Sequence, residues 1–135
     1  MAEAFSRTRA DHASETAEDY VEAIAAQIQR TGICRSADLA EFFSVTHATV
    51  NNTVARLVRD GYAKTEPYRP IELTPEGRRL AEHCEQRHQV VKAFLLAMGV
   101  SEKVAAIDSE GIEHHVSQET LKAMKQVLKD GWPTK

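Results

Sequence analysis

The chain has 135 residues, 42% of them hydrophobic and 27% charged, with a net charge of −3. That length suits one compact domain or two small ones of ordinary globular composition, and the charge argues against a protein that coats itself with nucleic acid while leaving room for a local basic face. No apolar run approaches a membrane span, no signal-peptide pattern opens the chain, and Cys34 and Cys84 lack CxxC spacing, so a cytoplasmic protein with reduced thiols and no membrane partner is expected.

The charge is unevenly spread. Residues 1–46 carry a balance of −4, residues 47–80 of +2 and residues 81–135 of −1. Residues 1–13 are polar and are expected to form a disordered tail. A first helix is expected to start at Ser14 or Thr16, where Thr16 and Asp19 resemble a capping box. Tyr20, Ala23, Ile24 and Ile28 follow helical spacing, and Thr31-Gly32 stops the helix. Asp19 and Glu22 lie three apart, on one face. Acids near a helix start also complement its dipole, which suits Asp19 better than Glu22.

Ser36 is placed as the cap of a short second helix, with Leu39 and Phe42 or Phe43 inward. Ser44-Val45-Thr46 then makes a tight turn. Thr46 caps a third helix whose Val50, Val54 and Leu57 recur at i, i+4 and i+7, ending at Asp60-Gly61. Short helix, turn and amphipathic helix make the helix-turn-helix plan. Residues 62–65 and 71–74 read as two strands around a proline-bounded loop, a wing. The pattern is a winged helix in the one segment of positive charge.

A recognition helix puts its N-terminal residues in the major groove. Thr46, His47, Thr49, Asn51 and Asn52 fill that stretch, and His47, Thr49 and Asn52 are expected to face bases. Asn pairs with adenine and Thr methyls meet thymine methyls. Arg56, Lys64, Tyr68 and Arg69 suit phosphates, while Arg59 and Arg78 read as solvated surface.

Thr74-Pro75 starts a long fourth helix over roughly residues 75–98, stopped by Gly99. Its second half is the more apolar, as suits a helix passing from one domain into another. Ser101 caps a fifth helix running to His114 or His115, and Ser117 caps a sixth. The fifth carries Glu110-Gly111-Ile112-Glu113-His114-His115. On a continuous helix, Glu110, Glu113 and His114 share a face. Like charges there repel, and a divalent cation would relieve the repulsion by taking all three as ligands. A plain solvated acidic face would explain these residues equally well, were there no second acidic pair upstream and no histidine between.

With Asp19-Tyr20-Val21-Glu22, Arg87-His88 and Glu110-Gly111-Ile112-Glu113-His114-His115 set around a winged helix, the chain resembles the manganese transport regulators. These are the manganese branch of the diphtheria-toxin-repressor family. The likeness covers nearly everything after residue 14. It implies a homodimer that binds palindromic operator DNA when loaded with Mn²⁺, and metal ligands at Asp19, Glu22, His88, Glu110, Glu113 and His114. The iron-responsive relatives have methionine in place of Asp19, cysteine in place of Glu110, and a C-terminal SH3-like domain for which this chain has no room. Four carboxylates and two imidazoles would balance two divalent cations. The oxygen-rich, sulfur-free set suits Mn²⁺, with Fe²⁺ the other candidate.

The expected fold is therefore mainly α. Residues 14–80 are read as a winged helix-turn-helix with a small β-hairpin wing, and residues 81–135 as an all-helical metal-binding and dimerisation domain. The expected function is repression of manganese uptake genes. Two rivals remain. A di-metal oxidase would use two Glu-x-x-His motifs, but here Glu113 and His114 are adjacent and Gly111 stands where the motif needs Glu. A winged-helix regulator sensing a small molecule instead of a metal is the other.

Overall fold

The computed structural model describes residues 2–133, and of residues 5–14 the backbone only. Six helices and one two-stranded antiparallel sheet are found among these residues. The chain divides into two compact units, Met1–Glu82 and His83–Lys135.

The first unit opens with α1, Ala2–Thr31. The sequence places the start of this helix at Ser14 or Thr16 after a disordered tail, but the helical backbone reaches back to Ala2. The physical reason is plain: no Gly or Pro stands between Ala2 and Thr31, and alanine, glutamate and arginine there propagate a helix once it has nucleated. Met1 lies outside the described residues. The stop falls where expected, at Gly32, whose φ of 95° only glycine adopts freely.

The second helix, α2, is Ser36–Phe43. Ser36 is already helical, so the expected cap is displaced by one residue. Arg35 holds the cap position and donates its N–H to Asp38 Oδ2 at 2.8 Å. An acid three residues in thus supplies the return arm of a capping box. At the other end Ser44 is left-handed, with φ 54°. Val45 N–H bonds to the Ala40 carbonyl and Ser44 N–H to that of Glu41, the paired bonds of a Schellman turn.

The third helix, α3, is His47–Arg59, and Thr46 Oγ1 caps it by accepting from Thr49 N–H at 3.1 Å. Its Val50, Thr53, Val54 and Leu57 are buried. They meet Tyr20, Val21 and Ile24 of α1 and Leu39 and Ala40 of α2 in one core. Tyr20 stacks on Phe43 with centroids 4.5 Å apart. Offset ring stacking of this kind adds ~0.5–1.5 kcal/mol to the burial term.

The wing is shorter than the sequence suggests. Strands β1, Ala63–Lys64, and β2, Glu72–Leu73, pair only as Ala63↔Leu73 and Lys64↔Glu72. The flanking residues bond elsewhere. Ile71 N–H reaches the Cys34 carbonyl at 2.8 Å, which pins the hairpin to the α1–α2 connection. Thr74 N–H bonds to the Tyr62 carbonyl at 3.0 Å, while its hydroxyl accepts from Gly77 N–H at 3.0 Å and caps the next helix.

That helix, α4, is Pro75–Ala97 and contributes its first turns to this unit and the rest to the second. The second unit adds α5, Glu102–Ile112, and α6, Gln118–Asp130, capped by Ser101 and Ser117 as the sequence indicates. Cys84, Val91, Ala105 and Leu121 are its buried apolar residues. Phe94 meets Trp132 edge-on at 5.6 Å. Helix α5 stops at Ile112, short of the expected His114 or His115. Gly111 weakens its last turn, and His115 N–H bonds back to the Ile112 carbonyl, closing a tighter turn. No helix of the described residues is long and apolar enough to cross a membrane.

Candidate nucleic-acid interface and candidate metal centre

Of the nine residues that the sequence assigns to DNA, four, His47, Asn51, Tyr68 and Arg69, line one groove of the first unit, and Thr46, Thr49, Asn52, Arg56 and Lys64 do not. The core side of α3 is set by Val50, Val54 and Leu57. At 100° per residue, Ala48, Asn52, Ala55 and Arg59 form the stripe opposite to it, and all four are exposed. Asn52 thus stands on the outward side of the helix. His47 and Asn51, one turn apart, face the wing and line a groove of about 530 Å³ together with Tyr68 and Arg69. Thr46 is used locally as the cap, and its hydroxyl also donates to Thr49 Oγ1 at 3.0 Å. Arg56 and Lys64 are exposed. Tyr68 is 99% exposed at a φ of 64°. A tyrosine gains nothing for the fold in that position, and left-handed backbone costs roughly 1–3 kcal/mol outside glycine.

Arg69 is engaged with Glu66 in an exposed ion pair of 3.7 Å. Such a pair contributes little, so the guanidinium remains available to a stronger anion. The sequence reading missed Arg35, Ser36 and Ala37, which line the same groove from the start of α2. The available signal was position: in a helix-turn-helix the first helix starts against the backbone that the second helix reads.

The six residues expected to hold metal divide between the units. Asp19 and Glu22 lie on α1 in the first, both partly buried. The other four lie in the second. His88 is on α4, Glu110 is in the last turn of α5, and Glu113 and His114 follow the helix end. The early stop corrects the expectation that Glu110, Glu113 and His114 share one helix face. The Glu110 side chain is 62% exposed, while those of Glu113 and His114 are 0% and 1% exposed.

Two nitrogen–oxygen pairs result. His88 Nδ1 is 3.5 Å from Glu110 Oε1, and His114 Nε2 is 3.2 Å from Glu113 Oε1. Hard cations with bonds of roughly 2.1 Å place donors on adjacent octahedral corners roughly 3 Å apart. Both pairs are therefore spaced as co-ligands of a cation would be, and the donor set of carboxylate oxygen and imidazole nitrogen is one that Mn²⁺ or Fe²⁺ accepts. The residues fit a divalent metal. Around them, Ser109 Oγ lies 3.3 Å from His88 Nδ1 and donates to the Ala106 carbonyl. Arg87 Nε donates to Glu113 Oε2 at 3.4 Å. Neither supporting contact follows from spacing: Ser109 and Arg87 each adjoin a ligand in sequence but act on one from another helix.

A winged helix with a polar, exposed recognition helix, joined in sequence to a helical unit bearing carboxylate–imidazole pairs, is the arrangement of a DNA-binding transcription regulator. Comparison with known proteins agrees. Residues 12–71 match the family described as "Iron dependent repressor, N-terminal DNA binding domain" and residues 74–131 match "Iron dependent repressor, metal binding and dimerisation domain". The chain is 45% identical over 121 residues to the transcriptional regulator MntR of Salmonella typhimurium, covering 90% of this chain and 77% of that protein. It is 40% identical over 104 residues to the HTH-type transcriptional regulator MntR of Lysinibacillus sphaericus, covering 77% and 75%. Among solved structures it is similar to a "Manganese-dependent transcriptional repressor complex with manganese", with TM-score 0.72 and 26% identity, covering 88% of this chain and 54% of that one. The chain thus spans about half the length of that solved structure. The chain belongs to the iron-dependent (diphtheria-toxin) repressor family, in its MntR branch.

Proposed function

We propose that this chain is a manganese-responsive repressor of manganese uptake genes, acting in the cytoplasm as a homodimer on a palindromic operator. The observation that carries the metal reading is the buried Glu113–His114 pair at 3.2 Å, with the His88–Glu110 pair at 3.5 Å on the same unit. With Asp19 and Glu22 these residues make the ligand set, and their four carboxylates would balance two Mn²⁺ per subunit; Fe²⁺ is the other ion the set would take. Bound metal would supply the positive charge that balances these carboxylates. Glu113 and His114 are held by burial, Glu110 reaches in from the exposed last turn of α5, and Asp19 and Glu22 come from the helix that packs under the recognition helix. Metal occupancy is thereby coupled to DNA affinity, by roughly 1–3 kcal/mol if the coupling is of ordinary allosteric size. By linkage, operator DNA tightens metal binding by the same factor.

Residues 14–80 are the DNA-binding domain in this reading. Asn52, His47 and Thr49 read bases, with Thr46 and Asn51 beside them, and Arg56, Lys64, Tyr68 and Arg69 hold phosphates. Residues 81–135 carry dimerisation. The exposed apolar side chains Val104, Ile107 and Ile112 on α5 form the self-complementary face that a two-fold dimer requires. The sequence also makes Phe94, Leu95, Leu96 and Leu121 candidates for the interface; of these Leu96 is exposed and Leu121 is buried within the unit.

The test is a titration of Mn²⁺ into the metal-free protein with a fluorescent duplex selected by the protein from a random pool. Anisotropy should rise with metal and fall on chelation. DNA binding of equal strength with and without chelator would refute the metal reading, and would favour a regulator that senses something else.

A further inference from the structure

Resting on the metal-centre reading, we propose that Arg87 is a positioning residue for Glu113, dividing its carboxylate so that one oxygen is committed to the guanidinium and the other is offered to metal. The two oxygens of Glu113 have different neighbours. Oε2 accepts from Arg87 Nε at 3.4 Å, and Oε1 lies 3.2 Å from His114 Nε2. The Glu113 side chain is 0% exposed and that of Arg87 18%, so solvent and salt screen this ion pair far less than a surface pair. The guanidinium is fixed at a second point, its Nη2 donating to Cys84 Sγ at 3.5 Å, one turn back on α4. A planar fork anchored twice has little freedom to swing, which a lysine in its place would have.

Glu113 needs such a partner because of where it sits. It is the first residue after α5, in the turn that closes on Ile112. Its backbone N–H bonds to the Ser109 carbonyl, and the direction of its carboxylate is set by what touches it. An unrestrained carboxylate can chelate through both oxygens or turn away. The arginine removes the first choice and blocks the second. The cost is repulsion between Arg87 and an incoming cation, but that charge is already committed to Glu113, so the ordering effect wins.

Outer contacts to metal ligands typically change metal affinity by ~10–100-fold. The experiment measures Mn²⁺ affinity from the EPR signal of free Mn²⁺ in titrations of the full metal-free chain, with circular dichroism to verify folding. Arg87→Met should bind ~10–100-fold more weakly than the parent, Arg87→Lys should fall between, and Arg79→Met, which loses only an exposed pair with Glu76, should bind as the parent does. A merely structural arginine would lower the melting temperature and leave the affinity alone. Arg87→Met binding as tightly as the parent or tighter, or Arg87→Lys no tighter than Arg87→Met, overturns the proposal. If Arg87→Met does not fold, Arg87→Gln, which keeps an N–H donor without charge, decides on the same scale. A parent chain that binds no Mn²⁺ refutes the metal centre itself; a parent that binds and a Met variant that binds equally refute only the role of Arg87.

Discussion

Gly77→Ala should damage this protein, although alanine is the better helix former. Gly77 lies in the first turn of α4, and a Cβ placed on it would come 2.0 Å from the Tyr62 carbonyl oxygen and 3.0 Å from the carbon of that carbonyl. Ordinary contact begins near 3.4 Å, so backbone must move by more than an ångström. The obstacle is a carbonyl held by Thr74 N–H at 3.0 Å, not the end of a flexible side chain. Forced overpacking costs ~1–3 kcal/mol, and loss of the Thr74 bond adds ~0.5–1.5 kcal/mol. The helix preference of alanine returns up to ~1 kcal/mol. The overpacking wins, leaving a net loss of roughly 2–3 kcal/mol, or a fall in melting temperature of roughly 6–15 °C for a chain of this size. Tyr62 also leads directly into β1, and the hairpin is held by only two residue pairs. Operator affinity should therefore fall even at temperatures where the variant is folded. Thermal melting by circular dichroism and anisotropy with labelled duplex measure the two effects. A variant that melts at or above the parent would show that the hairpin base yields freely, and the reasoning from close approach would be wrong.

Three further outcomes are expected. Arg35→Ala should weaken binding to specific and random duplexes alike and lower the salt slope by ~1 per site; an unchanged slope would remove Arg35 from the phosphate contacts. Ser44→Gly should raise stability by ~1 kcal/mol by relieving the left-handed backbone at φ 54°, seen as a higher denaturant midpoint; a lower midpoint would mean that the serine contributes more than its strain. The third concerns alkaline pH. Burial, and secondarily the charge of Asp38, pushes the Cys34 thiol up to about 11 from 9.0. The unfolded chain therefore loses this proton first, and its contribution is intact below pH 9 and lost between pH 9 and 11, at up to ~1.4 kcal/mol per pH unit. Cys34→Ala should flatten the alkaline limb of the stability curve, and an identical limb in both proteins would refute the burial argument.

What could be read from sequence, and what could not, separates along one physical line. Local signals gave correct local structure. Thr46, Ser101 and Ser117 each cap the helix that follows them, because a hydroxyl three residues before an amide needs nothing from the rest of the fold. The i, i+4, i+7 pattern of Val50, Val54 and Leu57 found the buried side of α3 for the same reason. Errors came where a competing local partner or a tertiary bond decided. Thr16 and Asp19 carry a start signal, yet nothing before them stops a helix, so α1 continues to Ala2. Ser36 is a better cap residue than Arg35, yet Asp38 reaches the Arg35 amide. Ile71 has the alternation of a strand, yet its amide belongs to Cys34. The metal centre followed the same rule. Its proposed ligands are named from motifs that resemble those of the manganese transport regulators, with imidazole and carboxylate the donor types a hard divalent cation accepts. Their inequality could not be read there: Glu110 exposed, Glu113 buried and bound by Arg87 from another helix. That inequality arises because α5 ends one residue before Glu113, which turns an even helical face into one outer and one inner carboxylate. The outer one can exchange with water and the inner one cannot.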